Sequence, residues 1–277
     1  MKNKMKKLVV ASGLSLAAIY AYNKFVEANS TRKNLLKTEN GVFYEWKQGN
    51  IFYTRQGNGS PVLLIHDTDS RASGAEWSKI NKKLAKEHTV YTIDLIGCGR
   101  SDKPKIKYTN YLYVQLVTDF VKNVIKEKTD VVATHLSGSF VIMANNLDDS
   151  LFGKIILINP VSLKDMEAIP GNKTELMKKI INLPIIGTFL YNLHMNPAKI
   201  DIIFRLKYFS RVQLISSKLE DIYYESAHLN KSNGKYLYSS LIANYFNINM
   251  VHAVKNIKKP VFIIGSTDKA KNIDIMD

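Results

Sequence analysis

Five short runs constrain the fold of this chain more than anything else in it: "VLLIH" at 62–66, "TVYTID" at 89–94, "VVATH" at 131–135, "KIILINP" at 154–160 and "PVFIIG" at 260–265. Each is a continuous apolar stretch rather than an alternating one, which is the pattern of a strand buried on both faces. Stretches with helical spacing separate them, over residues 75–87, 111–128 and 140–147. Strands alternating with helices in this way predict right-handed parallel βαβ units. Ahead of the first run, "VFYEWK" and "IFYTRQ" flank Gln48-Gly49-Asn50 and predict a hairpin. Between the fourth and fifth runs lies a mostly helical insertion rich in Tyr, Phe, Ile and Leu, and its "LPIIGTFLYNLHM" is apolar enough either to roof a cavity or to pack on the sheet.

With 277 residues, 45% of them hydrophobic, the chain has enough material for one large α/β domain or two small ones. A formal charge of +15 suggests nucleic acid at first sight. Lys accompanies Asn and Ile throughout the chain, however, and no RNP, zinc-finger or helix-turn-helix pattern is present, so nucleic acid is not an expected partner. Residues 1–38 hold eight bases and one acid around the uncharged apolar run Leu8 to Tyr22. As a helix those 15 residues would span about 23 Å, short of a bilayer core of about 30 Å unless Phe25 and Val26 extend it past Asn23 and Lys24. The segment reads as a single N-terminal membrane anchor or a signal segment, with a membrane-associated location and the extracytoplasmic side slightly favoured. The single Cys98 rules out an internal disulfide.

The stretch Glu76 to Pro104, "EWSKINKKLAKEHTVYTIDLIGCGRSDKP", carries the pattern W-helix-strand-D-x-x-G-x-G-x-S-D-x-P. It resembles the corresponding segment of the α/β-hydrolase superfamily. "PVLLIHDTDS" matches as strand plus oxyanion loop, "THLSGS" as nucleophile elbow, "KIILINP" as the next strand and "IKKPVFIIGSTD" as the strand carrying the acid, all in the family's order. The resemblance implies an α/β-hydrolase fold: a mostly parallel sheet, helices on both faces, and a helical lid. On that frame residues 1–28 form the anchor, 29–40 a linker, 41–161 the first part of the core, 162–255 the lid and 256–277 the last strand of the core, with the family's final strand and helix expected to be missing.

The family's chemistry needs a Ser nucleophile on a G-x-S-x-G turn, a carboxylate, a His base, and two backbone N–H groups for the oxyanion. The resemblance places the nucleophile at Ser137, the acid at Asp268 and the oxyanion donors at Thr68 and Gly138. His135 and Ser139 stand where that motif has glycine. Asp67 and Asp69 sit in the oxyanion loop, where carboxylates oppose developing negative charge. No His follows His252, so no base is identifiable by position. Asp94, Gly97, Gly99 and Ser101 read as structural, two turn glycines with polar groups that cap the backbone. The expectation is a serine hydrolase of small apolar esters or amides with an incomplete triad; the alternative is a silent member that binds a hydrophobic small molecule at a membrane. Nucleotide-binding and zinc motifs are absent, and neither cofactor nor metal is expected.

Overall fold

A computed structural model describes residues 2–38, 40–209 and 211–265, leaving aside the side chains of 2–11 and of Lys207. Seven strands form one sheet: β1 (Gly41–Trp46), β2 (Gly49–Gln56), β3 (Ser60–Ile65), β4 (His88–Ile93), β5 (Thr129–Thr134), β6 (Phe152–Ile158) and β7 (Val261–Ile264). Their spatial order is β1-β2-β4-β3-β5-β6-β7. β1–β2 and β2–β4 are antiparallel and all other pairs parallel. The five apolar runs are therefore neighbouring strands, and the two aromatic runs form the hairpin, which turns at Lys47 and Gln48 because Gly49 and Asn50 already belong to β2. The order reverses at β3, which pairs with β4 on one side and β5 on the other. Ligands of open α/β sheets bind in the crevice at the carboxyl ends of the strands flanking such a reversal.

The strands are apolar throughout because each of their faces is covered. Val62, Leu64 and Val90 pack with Trp77 on the face of α2 (Ser78–Leu84). Leu63, Ile65 and Val131 point the other way, into the large core shared with α3 (Asn110–Phe120) and α4 (Ser137–Leu147). There Tyr113 stacks on Phe140 with ring centres 5.2 Å apart. α3 stops short of the expected Lys128: a π turn at Val121–Ile125 and the left-handed Lys126 end it.

The D-x-x-G-x-G-x-S-D segment is structural, as its residue types imply. The buried Asp94 carboxylate accepts from Gly74 N at 2.6 Å and Arg100 N at 2.8 Å, and it pairs with the Arg100 guanidinium. Ser101 Oγ donates to the Asp94 carbonyl and accepts from Phe52 N. Gly99 has φ +47°, and a Cβ there would come within 2.2 Å of the Asp94 carboxylate. No side chain fits between turn and carboxylate.

Between β6 and β7 the chain is helical. α5 (Asn172–Asn182), α6 (Ile185–His194), α7 (Pro197–Ile203), α8 (Ser217–Ser232), α9 (Lys235–Ile242) and α10 (Val251–Lys255) follow one another. α8 is kinked at Leu229 to Lys231.

The N-terminal segment requires a correction. α1 (Lys2–Ser30) is a long helix, yet among the described residues no helix is long and apolar enough to cross a membrane. Its apolar run is interrupted by Asn23, Lys24 and Glu27, and the later half of the helix is committed to protein contacts. Asn23, Val26 and Ser30, spaced i, i+3 and i+7, are buried. Asn23 Nδ2 donates to the Ile185 carbonyl at 3.0 Å and its Oδ1 accepts from Asn192 Nδ2 at 3.0 Å, while Tyr22 meets Phe189 edge-on at 5.4 Å. The apolar "LPIIGTFLYNLHM" stretch thus packs on α1 rather than on the sheet. Beyond the helix, the buried Glu225 carboxylate of α8 accepts from Leu35 N at 2.7 Å and Leu36 N at 3.1 Å. The expected membrane-spanning anchor gives way to a helix docked on the insertion.

Candidate active site

At the carboxyl end of β3 the chain runs through His66, Asp67, Thr68 and Asp69, and at the end of β5 through Thr134, His135 and Leu136 into α4. His66 shapes the first loop. Its Nε2 accepts from Leu95 N at 3.0 Å, so its Nδ1 carries the proton and donates to the Asp67 carbonyl at 2.7 Å. Burial holds this ring below the usual histidine range, and it stays neutral.

The strand-to-helix turn is centred on His135. That residue has φ +47°, while Leu136 is already in the right-handed helical region and Ser137 opens α4. Gly138 N donates to the His135 carbonyl and Ser139 N to that of Leu136, which closes the turn. Residues two before and two after His135 are Ala133 and Ser137, both small, so strand and helix approach as closely as glycines would allow.

Ser137 is fully buried. Its Oγ donates to the His66 carbonyl at 2.5 Å and lies 2.9 Å from Thr68 Oγ1, which is left to act as donor in that contact. The structure thus brings Ser137 and Thr68 together, with Gly138 beside them. The Gly138 N–H is engaged in the turn. Asp268 lies outside the described residues.

His135 and a pair of carboxyl groups lie beside the carboxyl ends of β3 and β5. The His135 ring is 25% exposed, and its Nδ1 sits 3.3 Å from Asp67 Oδ1. That same oxygen accepts from Leu136 N at 3.4 Å, the first amide after the turn. Asp67 Oδ2 accepts from Tyr208 OH at 2.9 Å. Asp67 N donates to Glu76 Oε2 at 3.2 Å, and Thr134 Oγ1 reaches the same oxygen at 3.4 Å. Tyr223 OH donates to Glu76 Oε1 at 2.8 Å. Burial, followed by the neighbouring Asp67 charge, pushes the Glu76 carboxyl up to about 8, so it holds a proton at neutral pH. Asp69 is the opposite case: Arg71 Nε and Nη2 grip it bidentately, and that cation outweighs burial and keeps the carboxyl below its ordinary range.

Tyr208 and Tyr223 come from the insertion, where Phe204, Ile200 and Tyr223 form a small apolar cluster with Tyr208 packed against it. The site is therefore a polar floor from the strand ends under an aromatic roof. Sequence reading passed over Glu76, Tyr208 and Tyr223, which share no motif with the loops they meet. It placed His135 in the turn but gave it no role, because centring the motif on Ser137 puts His135 where glycine belongs. The small residues Ala133 and Ser137 on either side of His135 were the signal for the other frame. Among the described residues no three His, Cys, Asp or Glu side chains converge so as to hold a metal ion.

A seven-stranded, mostly parallel sheet with β2 antiparallel, a sharp turn after β5 and a helical cover over the strand ends defines an α/β-hydrolase. The model of the alpha/beta hydrolase family matches residues 62–271, and the chain belongs to that family. It is 28% identical over 113 residues to a 2-hydroxy-6-oxo-6-(2'-aminophenyl)hexa-2,4-dienoic acid hydrolase of Metapseudomonas resinovorans, a match spanning 40% of this chain and 39% of that protein. It is also 29% identical over 89 residues to a soluble epoxide hydrolase of Corynebacterium sp. strain C12, spanning 32% and 30%. These matches span well under half the length of the curated relatives. Among solved structures, the meta-cleavage product hydrolase of Pseudomonas fluorescens IP01 superposes with a TM-score of 0.62 at 16% identity, over 81% of this chain and 79% of its own. An α/β hydrolase fold protein from Burkholderia ambifaria gives 0.63 at 21%, over 82% and 80%.

Proposed function

We propose that this member of the alpha/beta hydrolase family takes a small, largely apolar molecule into the crevice between its strand ends and its insertion, and that it does not hydrolyse acyl esters through Ser137. The observation that carries this reading is the Ser137 hydroxyl itself, buried in the first turn of α4 with its proton on the His66 carbonyl. An activated serine needs a base at its proton. Here both partners of Oγ, the His66 carbonyl and the Thr68 hydroxyl, are oxygens. The aromatic roof of Phe204, Tyr208 and Tyr223 over a few polar groups has the character of a small-molecule site. Two relatives, one named as a dienoic acid hydrolase and one as an epoxide hydrolase, agree with that class of ligand.

A second reading, hydrolysis of small apolar esters through Ser137 with Asp268 as acid and Thr68 and Gly138 as oxyanion donors, is favoured by the 2.9 Å contact between Thr68 and Ser137. Turnover of p-nitrophenyl butyrate separates the two. The first reading predicts that the chain and Ser137→Ala hydrolyse it at rates within about tenfold of each other, since losing an engaged base costs about 10² to 10⁴. A rate at least 10²-fold above that of Ser137→Ala would establish the second.

A further inference from the structure

We infer that His135, Asp67 and Glu76 form an acid–base centre that moves protons on a small carbonyl compound: His135 removes a proton from the carbon beside the carbonyl while Glu76 gives one to the carbonyl oxygen. The geometry supplies each part. His135 stands at the apex of the turn after β5 with its ring partly open to solvent and Asp67 behind its Nδ1 at 3.3 Å. With the Asp67 carboxylate beside one ring nitrogen, the other nitrogen is the one left to act as the base. Glu76 shares this centre through Asp67 N and through Thr134, the residue next to His135. Its raised proton affinity keeps the acid loaded at neutral pH.

The charges decide which reaction fits. An oxyanion would develop beside Asp67, whose Oδ1 already takes the Leu136 N–H. Asp69 is neutralised by Arg71, and Tyr208 and Tyr223 hydrogen-bond to Asp67 and Glu76 respectively. Acyl transfer through a tetrahedral anion is thus opposed electrostatically. Enolisation with simultaneous protonation builds no charge on the carbonyl oxygen; the positive charge appears on His135, beside Asp67, and the negative charge on Glu76. The C–H bond breaks and its proton goes to His135, the electron pair forms the C=C bond, and the carbonyl oxygen takes the Glu76 proton to give a neutral enol. The reverse steps restore the ketone and both protonation states, so no co-reactant is consumed.

This inference rests on the reading that a small, mostly apolar molecule enters the crevice, and one experiment separates the two. Proton NMR of benzyl methyl ketone in D₂O follows loss of its benzylic protons, while line broadening of the ketone by protein reports binding. Exchange faster than the buffer blank is expected, falling at least 10²-fold in His135→Gln and in Glu76→Gln and staying within twofold in His252→Ala, whose histidine is exposed. Thermal melts of each variant establish that it is folded. Binding without exchange above the blank, or equal exchange in folded His135→Gln, overturns the acid–base centre alone. Absence of binding overturns both.

Discussion

Asp67 follows His66 at the carboxyl end of β3, and its side chain ties together the groups around it. Its carboxylate lies against His135, the Leu136 amide and Tyr208, and it raises the proton affinity of Glu76. The sign of the resulting pH dependence follows from Glu76 holding its proton up to about 8 in the folded chain against an ordinary 4.5. Between those values the folded state binds a proton that the unfolded state has released, so stability falls as pH rises through that window, by up to about 1.4 kcal/mol per pH unit. Urea denaturation at pH 7, 7.5 and 8, above the range in which the unfolded chain protonates His228, should show this decline, and Glu76→Gln should flatten it; an unchanged slope in the mutant would remove Glu76 as its source. His228 has the opposite dependence, because burial, only partly offset by its Nδ1 bond to the Tyr224 carbonyl, lowers it to about 4. The unfolded chain takes up that proton first, so His228 costs stability as pH falls from about 6.5 towards 4.

Strands were legible in the sequence because burial on both faces leaves an apolar run that does not depend on distant partners. Val62 to Ile65 and Ile155 to Leu157 are examples. The same holds for the Asp94 to Ser101 turn, whose glycines and caps act over a few residues. The N-terminal helix was legible as a helix but not in its role: its partners Ile185 and Asn192 lie more than 150 positions away. Local composition cannot tell an apolar helix that meets lipid from one that meets protein. Glu225 makes this docking specific, since its two oxygens hold the backbone amides of Leu35 and Leu36. Replacing it with Ala leaves two partnerless N–H groups near the insertion, at a cost of about 1–3 kcal/mol each where they stay buried. Hydrogen exchange measured by mass spectrometry should therefore quicken at residues 31–38 in Glu225→Ala, with β3 and β5 unaffected; equal protection in that segment would mean that the strap is held by other contacts.

At the scale of the whole molecule, an α/β-hydrolase sheet carries at its carboxyl edge the side chains on which the proposed reading rests. The sheet order and the turn after β5 bring Thr68 and Ser137 together, with Gly138 next in the chain. What the sequence did not convey was the frame of the turn, because a serine two residues past the apex draws the motif onto itself, although only the His135 frame has small residues, Ala133 and Ser137, on both sides. The apex falls on His135, and the hydroxyl of Ser137 is turned inward to the His66 carbonyl. The central claim, that Ser137 is not an activated nucleophile, meets its most direct test in the intact mass of the protein after exposure to a fluorophosphonate, which labels activated serines rather than merely exposed ones. The account predicts no added mass on the wild-type chain under conditions that label a control serine hydrolase to completion. A single adduct that forms rapidly on the wild type and is lost in Ser137→Ala would contradict it.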